Sequence, residues 1–464
     1  MNHTLPAVLL SLALAACAGG ADLPEAAVEA PAAWGRQGQQ PGFSPAADLG
    51  ADQEKRASDP AWWGNFGAPD LARLMVRAHS ANPDLSAARH RIEVARAQVK
   101  ASRSALLPAV SLGFDAGRSD TVSGEPAGLF GAGLGARWEI DLWGGARATV
   151  AASQAKVDAQ AAAAEGLKLS LEAEMASLYF QWIGLGARVA SAREILETSE
   201  KTLQLVERRE ELGEASRLDI ARQRSAVAGL RAGIPELEAL RERTRNAILA
   251  LVGETPSGAR LTEMPIDAVI VPEVNPGVPS DVLMRRPDLR RAAALIAAAR
   301  GNVDAARSAM LPSLSLTAAG GLASGALSAL FDPAGTLFSV AASTTAKIFD
   351  GGRLAAGVEV AQAEAKSLAE EYRSAAYAAF RDVEDALATL DHLKMAEESR
   401  RLAASEAGAA HAMALARYEA GEADLMTLLD AQRTRLEQDD AVRRIRSERL
   451  IAAVSLYKAL GGSW

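Results

Sequence analysis

Between Ala109 and Leu142 apolar side chains fall on every second position. Val110, Leu112, Phe114 and Ala116 alternate with Ser111, Gly113, Asp115 and Gly117. After a loop rich in Gly, Ser and Pro, Ala132, Leu134, Ala136, Trp138, Ile140 and Leu142 alternate with Gly133, Gly135, Arg137, Glu139 and Asp141. Period two predicts strands, here a β-hairpin over about 109–142. The pattern returns over about 313–349, where Leu314, Leu316, Ala318, Phe338, Val340, Ala342, Ala346 and Ile348 oppose Ser315, Thr317, Ser339, Ser343, Thr345 and Lys347. Four strands per chain follow, each with one greasy and one polar face. Behind each hairpin the period changes. A Gly-Gly turn (Gly144-Gly145; Gly351-Gly352) opens a run without proline that reaches about Glu211 or Glu419. In the first run Met175, Trp182, Val189, Leu196 and Leu203 recur every seventh residue, with Leu171, Leu178, Leu185, Ala192 and Val206 on companion positions. This spacing predicts long helices, about 146–211 and 353–419, that need coiled-coil partners. Return helices of about 216–252 and 424–460, beyond Gly213 and Gly421, would supply them as antiparallel hairpins, the first mildly broken near Gly233-Pro235.

The chain is written twice. Asn82-Pro83-Asp84-Leu85 returns as Arg286-Pro287-Asp288-Leu289, the segment ending Leu107-Pro108 as that ending Leu311-Pro312, and Gly213-Glu214-Ala215 as Gly421-Glu422-Ala423, at a nearly constant offset. A repeat this long predicts one architecture made of two similar halves. The expected order is a signal peptide (1–16), a tether (17–60), a first repeat (61–253), a linker (254–281) and a second repeat (282–464). Each repeat holds a short helix, the β-hairpin, the long helix and the return helix.

Composition sharpens this picture. Aromatics are 5% of the chain and alanine is abundant, which favours long, closely approaching helices over a compact core. A net charge of −8 without a long basic run argues against nucleic-acid binding. Residues 5 to 16 form a short apolar stretch ending in small residues, as in a signal peptide, and Cys17 follows where a bacterial lipobox places its acylated thiol. Being the only cysteine, Cys17 allows no intramolecular disulfide. Ala18, not Asp, follows it, which resembles the outer-membrane sorting pattern of bacterial lipoproteins. No other stretch offers about 18 uninterrupted apolar residues, so a membrane crossing would have to use strands.

Periodicity alone leaves open two ordinary hairpins on a soluble core. Arg137, Glu139, Asp141 and Lys347 on the polar face favour a water-filled lumen, because such charges are costly in a core. Four strands cannot close a barrel, and open edges are intolerable in lipid. Three chains would give twelve strands with no edge. No enzymatic chemistry is legible: His3, His79, His90, His392 and His411 share no metal-ligand spacing, so no cofactor is expected. Gly131, Gly133 and Gly135 fail the dinucleotide pattern and would rather make room in the lumen. Gly321 to Gly325 is misspaced for a nucleophile elbow.

Trp62-Trp63-Gly64-Asn65-Phe66, Asn82 to Leu85, Val278-Pro279-Ser280-Asp281 through Leu289, Phe349-Asp350-Gly351-Gly352-Arg353, and Arg417 to Gly421 with Leu429-Asp430-Ala431-Gln432-Arg433 resemble the outer-membrane factors of the TolC family, most closely the NodT-type lipoproteins. The resemblance runs from about Trp62 to Gly461. It implies a mainly α protein with transmembrane β, a homotrimer with one 12-stranded barrel in the outer membrane and an α-helical tunnel in the periplasm. It also implies a passive exit duct for small molecules such as drugs, anchored by outer-membrane lipid on Cys17. The implied partners are a periplasmic adaptor and an inner-membrane transporter of the resistance-nodulation-division type. Ducts for type I protein secretion or metal-ion efflux share the motifs, and a lipid-anchored periplasmic coiled-coil scaffold is the reading from a different class. The resemblance places Gly213, Glu214, Ser216, Tyr418, Gly421 and Glu422 at adaptor-docking tips and Asp219, Asp424 and Asp430 at a periplasmic gate. An arginine that some members carry after the second-tip glycine is Ala423 here. All three aspartates also lie in the first turns of helices, where a carboxylate favours the positive end of the dipole whether or not it lines a gate.

Overall fold

The computed structural model describes residues 28–35, 61–120, 126–257, 261–274 and 276–462. The expected signal peptide, Cys17 and most of the tether lie outside them. Two compact units arise, and neither coincides with a repeat. One holds 91–161 and 291–375, the other 29–90, 162–290 and 376–464.

In the first unit, β1 (Ala109–Asp120), β2 (Pro126–Ile140), β3 (Ser313–Ser324) and β4 (Thr336–Thr345) form one antiparallel sheet in that order. The β2–β3 pairing joins the two repeats. Cross-strand partners share a face, so the alternation of the four strands adds up. One row runs Val110, Ala136, Ala318, Val340, and the next Ser111, Gly135, Ala319, Ser339. The apolar face is bare, with Phe338 78% and Val340 67% exposed. Among the described residues β1 and β4 each have a single neighbour. β2 begins at Pro126, earlier than the alternation from Ala132 suggested, because glycine positions continue the ladder without an apolar signal. One of them, Gly133, faces Gly321 of β3 for a reason of its own. A Cβ on Gly321 would stand 2.5 Å from the Ala132 carbonyl oxygen and 2.7 Å from the Gly133 Cα, so close approach of the two backbones excludes side chains there.

The helices correct the simple hairpin expectation. α3 (Gly145–Glu211) and α7 (Arg353–Glu419) have 67 residues each, whereas the return helices α4 (Arg217–Leu251) and α8 (Leu425–Ala459) have 35. At about 1.5 Å per residue a return helix covers roughly half of its long partner. In the sheet unit the first halves pack instead against α2 (Pro83–Ser104) and α6 (Pro287–Ser308). Ser102 Oγ lies 2.8 Å from Ser153 Oγ, Gly301 abuts Ala148 and Ala152, and Ala299 and Val303 pack on Ala361 and Ala365. α4 runs unbroken through Pro235.

The second unit collects the aromatics. A 3₁₀ turn, Trp62–Phe66, and α1 (Pro69–Ala81) pack on the middle of α3 and the end of α8. Trp62 stacks on Tyr457 at 5.2 Å, and its Nε1 donates to the buried Glu172, whose other oxygen lies 2.8 Å from His79 Nε2. The coiled-coil seam holds through Met175, Trp182 and Val189 and then rotates. Ile195, Ser199, Thr202 and Val206 are the buried positions beyond it, while Leu196 and Leu203 are only half-buried. A straight helix drifts against a strict seven-residue repeat, and two of the new seam positions are polar, hidden from an apolar count. Gln223 of α4 satisfies one of them by donating to the Ser199 hydroxyl at 3.1 Å, and also to its carbonyl at 2.8 Å.

The repeated motifs prove to be one joint made twice. Asn82 Oδ1 accepts from the Asp84 and Leu85 amides at the start of α2, and its Nδ2 donates to the Leu251 carbonyl at the end of α4. Arg286, its counterpart ahead of α6, donates to the Ala459 carbonyl at the end of α8. Each return helix then stops on a left-handed glycine, Gly253 (φ 78) or Gly461 (φ 95). Their surrounding hydrogen bonds, Glu254 N to Leu249 O and Gly462 N to Tyr457 O, have the Schellman pattern. A Cβ on Gly253 would stand 2.7 Å from the Ala81 carbonyl oxygen, whereas one on Gly213 (φ 77) would meet nothing. Gly253→Ala is therefore expected to cost about 2–3 kcal/mol and Gly213→Ala only about 1 kcal/mol, because the second bears the φ penalty alone. Thermal unfolding of the two variants in detergent checks the order.

Candidate functional site: the hairpin tips and the two-faced sheet

Both tips follow from local sequence. α3 and α7 end on Gly213 and Gly421 in the same Schellman pattern, with Glu214 N donating to Arg209 O at 2.7 Å and Glu422 N to Arg417 O at 2.8 Å. The return helices begin on caps. Ser216 Oγ accepts from the Asp219 amide, and the Asp219 carboxylate accepts from the Ser216 amide at 3.1 Å, a reciprocal capping box. Asp424 is the N-cap of α8, accepting from the Thr427 amide at 2.8 Å and its hydroxyl at 2.6 Å. The hydroxyl and amide bonds of Thr427 hold its carboxyl below the usual carboxylate range. Asp430 has no capping role. It lies exposed nearly two turns beyond the Asp424 cap, 2.8 Å from Arg433 on the same helix.

The tips of the two repeats meet within the chain. Val206, Ala414, Tyr418, Leu425 and Leu428 form a small buried cluster. Arg209 lies over the Tyr418 ring at 4.6 Å and donates to the Glu419 carbonyl at 2.7 Å, so the end of α3 is held to the end of α7. Tyr418 is thus part of the tip core, 4% exposed, and not a docking surface as expected from the sequence. Gly213, Glu214, Ser216, Gly421 and Glu422 are exposed. Leu212, where the sequence reading starts the tip turn, is 74% exposed, and Leu218, which that reading passed over, is 57% exposed beside the first tip. Their signal was available, as apolar residues flanking a reversal with no seam to join. Above the tips, a groove of about 690 Å³ between α4 and α8 is lined by Arg222, Leu230, Met426, Leu429, Asp430 and Gln432.

At the sheet, Arg137 and Glu139 lie on β2 on the face shared by Ser111, Thr317 and Ser343. Asp141 and Lys347 fall beyond the strand ends, Ile140 and Thr345. Asp141 accepts from the Ala146 and Arg147 amides at 2.9 and 3.0 Å, capping α3 rather than extending the polar face. Both expectations carried the alternation past the last paired residue. Among the described residues no cluster of His, Cys, Asp and Glu could hold a metal, and no helix is long and apolar enough to cross a membrane.

The sequence matches the family described as outer membrane efflux protein over residues 74–254 and 278–462. It is 33% identical over 467 residues to the pyoverdine export outer membrane protein OpmQ of Pseudomonas putida, covering 98% of this chain and 96% of that protein. It is 30% identical over 468 residues to the outer membrane protein OprJ of Pseudomonas aeruginosa, with 99% and 95% covered. The fold is similar to that of the outer-membrane channel OprN, with a TM-score of 0.85 at 28% identity over 96% of this chain and 98% of that one. It is also similar to the open state of the Neisseria gonorrhoeae MtrE outer membrane channel, with a TM-score of 0.83 at 28% identity over 96% and 97%.

Proposed function

Because the chain belongs to the outer membrane efflux protein family, we propose that three copies close their sheets into one twelve-stranded barrel and pass small organic molecules outward through it. The protein is an outer-membrane efflux channel, not an enzyme, and the family is the outer-membrane component of tripartite pumps. One observation carries the trimer. A four-stranded sheet with a bare apolar face and two unpaired edges has no place in lipid until neighbouring copies pair both edges. A coiled-coil scaffold would have no use for such a sheet.

A periplasmic adaptor then meets the exposed reversals at Gly213-Glu214 and Gly421-Glu422, with Leu212 and Leu218 as apolar contacts. An inner-membrane transporter of the resistance-nodulation-division type supplies the energy. Lipid on Cys17 adds a second attachment to the membrane. The names of the relatives point to pyoverdine export, antibiotic efflux and toluene efflux for those proteins, and small organic cargo is the class we assign here, over protein or metal ions. Of the three candidate gate carboxylates, Asp219 and Asp424 are engaged in capping, whereas Asp430 is exposed and paired with Arg433 on its own helix, which leaves it as the one we assign to a ring on a threefold axis.

Planar-bilayer recording tests both levels. The purified trimer is expected to conduct with a preference for cations, and Asp430→Asn to raise conductance and weaken that preference. Asp424→Asn is expected to leave conductance nearly unchanged. A protein that stays monomeric and carries no current would sink the channel reading; unchanged current in Asp430→Asn would remove only that residue from the gate.

A further inference from the structure

Among residues 28–35, Trp34 alone is buried, at 2% exposure, while its neighbours are exposed or half-buried. It is held on three sides. Its Nε1 donates to the Gly277 carbonyl at 3.0 Å, and its ring meets Phe380 of α7 edge-on at 6.3 Å. The Gly35 amide donates to Glu384 Oε1 at 2.6 Å, one turn along the same face of α7. Gly277, at φ 60, lies in the stretch leading into the second repeat. An extended segment that buries one indole and satisfies it by name is bound as a ligand is bound, through a single anchor.

We propose that the inter-repeat linker and α7 together carry a receptor seat for the Trp34 indole of the chain's own N-terminal arm, and that this seat fixes where the arm joins the body. The seat reads an indole with its N–H. A Cβ at position 35 would lie 3.5 Å from Glu384 Oε1, in ordinary contact, so a cysteine can stand there without disturbing the indole. Trp34 lies seventeen residue steps beyond Cys17. At most 3.3–3.6 Å each, they reach about 60 Å. With lipid on Cys17, the seat therefore sets the longest distance between the bilayer surface and the second repeat. The inference is independent of conduction and of the gate.

The test uses full-length protein in its membranes, carrying Gly35→Cys and Glu384→Cys, treated with a short thiol–thiol cross-linker. Residues 1–35 contain no Lys or Arg, whereas Arg36, Lys55 and Arg56 follow. Trypsin thus severs the arm, and only a cross-linked arm stays with the body on a denaturing gel. Gly35→Cys alone sets the background from Cys17. Efficient linkage within one chain is expected, with a loss of at least tenfold when Trp34→Ala is added and partial retention in Trp34→Phe, which keeps the ring but not the N–H. Linkage unaffected by Trp34→Ala overturns the seat. Cross-linked dimers overturn its assignment to the chain's own arm.

Discussion

Val340→Arg is expected to abolish the heat-modifiable trimer, whereas Ser339→Arg, one residue away, is expected to leave it in place. The two positions sit in adjacent rows of the sheet and point to opposite faces. Val340 continues Ala318, Ala136 and Val110, all apolar, and Ser339 continues Ala319, Gly135 and Ser111. Val340 is also the middle of β4. In a transmembrane barrel an arginine on the lipid face costs about 2–4 kcal/mol near the bilayer centre. With three copies in one barrel the penalty is about 6–12 kcal/mol, comparable to the whole stability of a typical domain. An arginine at Ser339 would project from the polar face, the one that carries Arg137 and Glu139. Semi-native electrophoresis of the outer-membrane fraction reads the outcome. Equal loss in both variants would mean that the sheet has no lipid side, and with it the barrel would go.

How much of this was legible follows from which interactions are local. The strand faces were, because period two is written in neighbours such as Leu112 and Leu134 against Ser111 and Gly135. The tips were, because Gly213 and Gly421 mark a left-handed residue that few others accept. The caps Asp219 and Asp424 could be suspected from their place in a first turn, yet only the bonds to Ser216 and Thr427 separate capping from gating. What stayed hidden depends on long-range pairing. The polar seam at Ser199 and Thr202 reads as surface until Gln223 is placed against it. The cover of the first halves of α3 and α7 by α2 and α6 is written in no period of either helix. Trp34 lies in an arm of Ala, Pro and Gly with no periodicity, and nothing in that composition announces Phe380 as its partner.

The same blindness applied to Glu397, whose removal is expected to cost about 3–5 kcal/mol, the figure for breaking a buried charge pair on one side. Glu397 is 2% exposed on α7 and receives Arg401 and Arg449 at 2.8 Å and Arg446 at 3.4 Å. Arg446 also donates to the Val269 carbonyl at 2.6 Å, and Arg443 pairs with Asp267 at 2.6 Å, so the cluster ties α7, α8 and the inter-repeat linker together. Glu397→Ala leaves three guanidinium groups without their shared anion. Replacing Glu397, Arg446 and Arg449 together by apolar residues of similar size should restore most of the loss, which separates a charge defect from a packing defect. The acid response gives a second reading. Burial alone would raise the Glu397 carboxyl, but hydrogen bonds from Arg449 and Arg401 and the charge of Arg446 outweigh it and hold the group below its ordinary 4.5. A folded-state value below the unfolded one stabilises fully above pH 4.5, and that contribution is lost as pH falls further towards the folded value. Wild-type unfolding temperature should therefore drop more steeply below pH 4.5 than that of Glu397→Gln, which has no proton to take up. Parallel pH profiles would place the anchor of this joint in apolar packing instead of in the carboxylate.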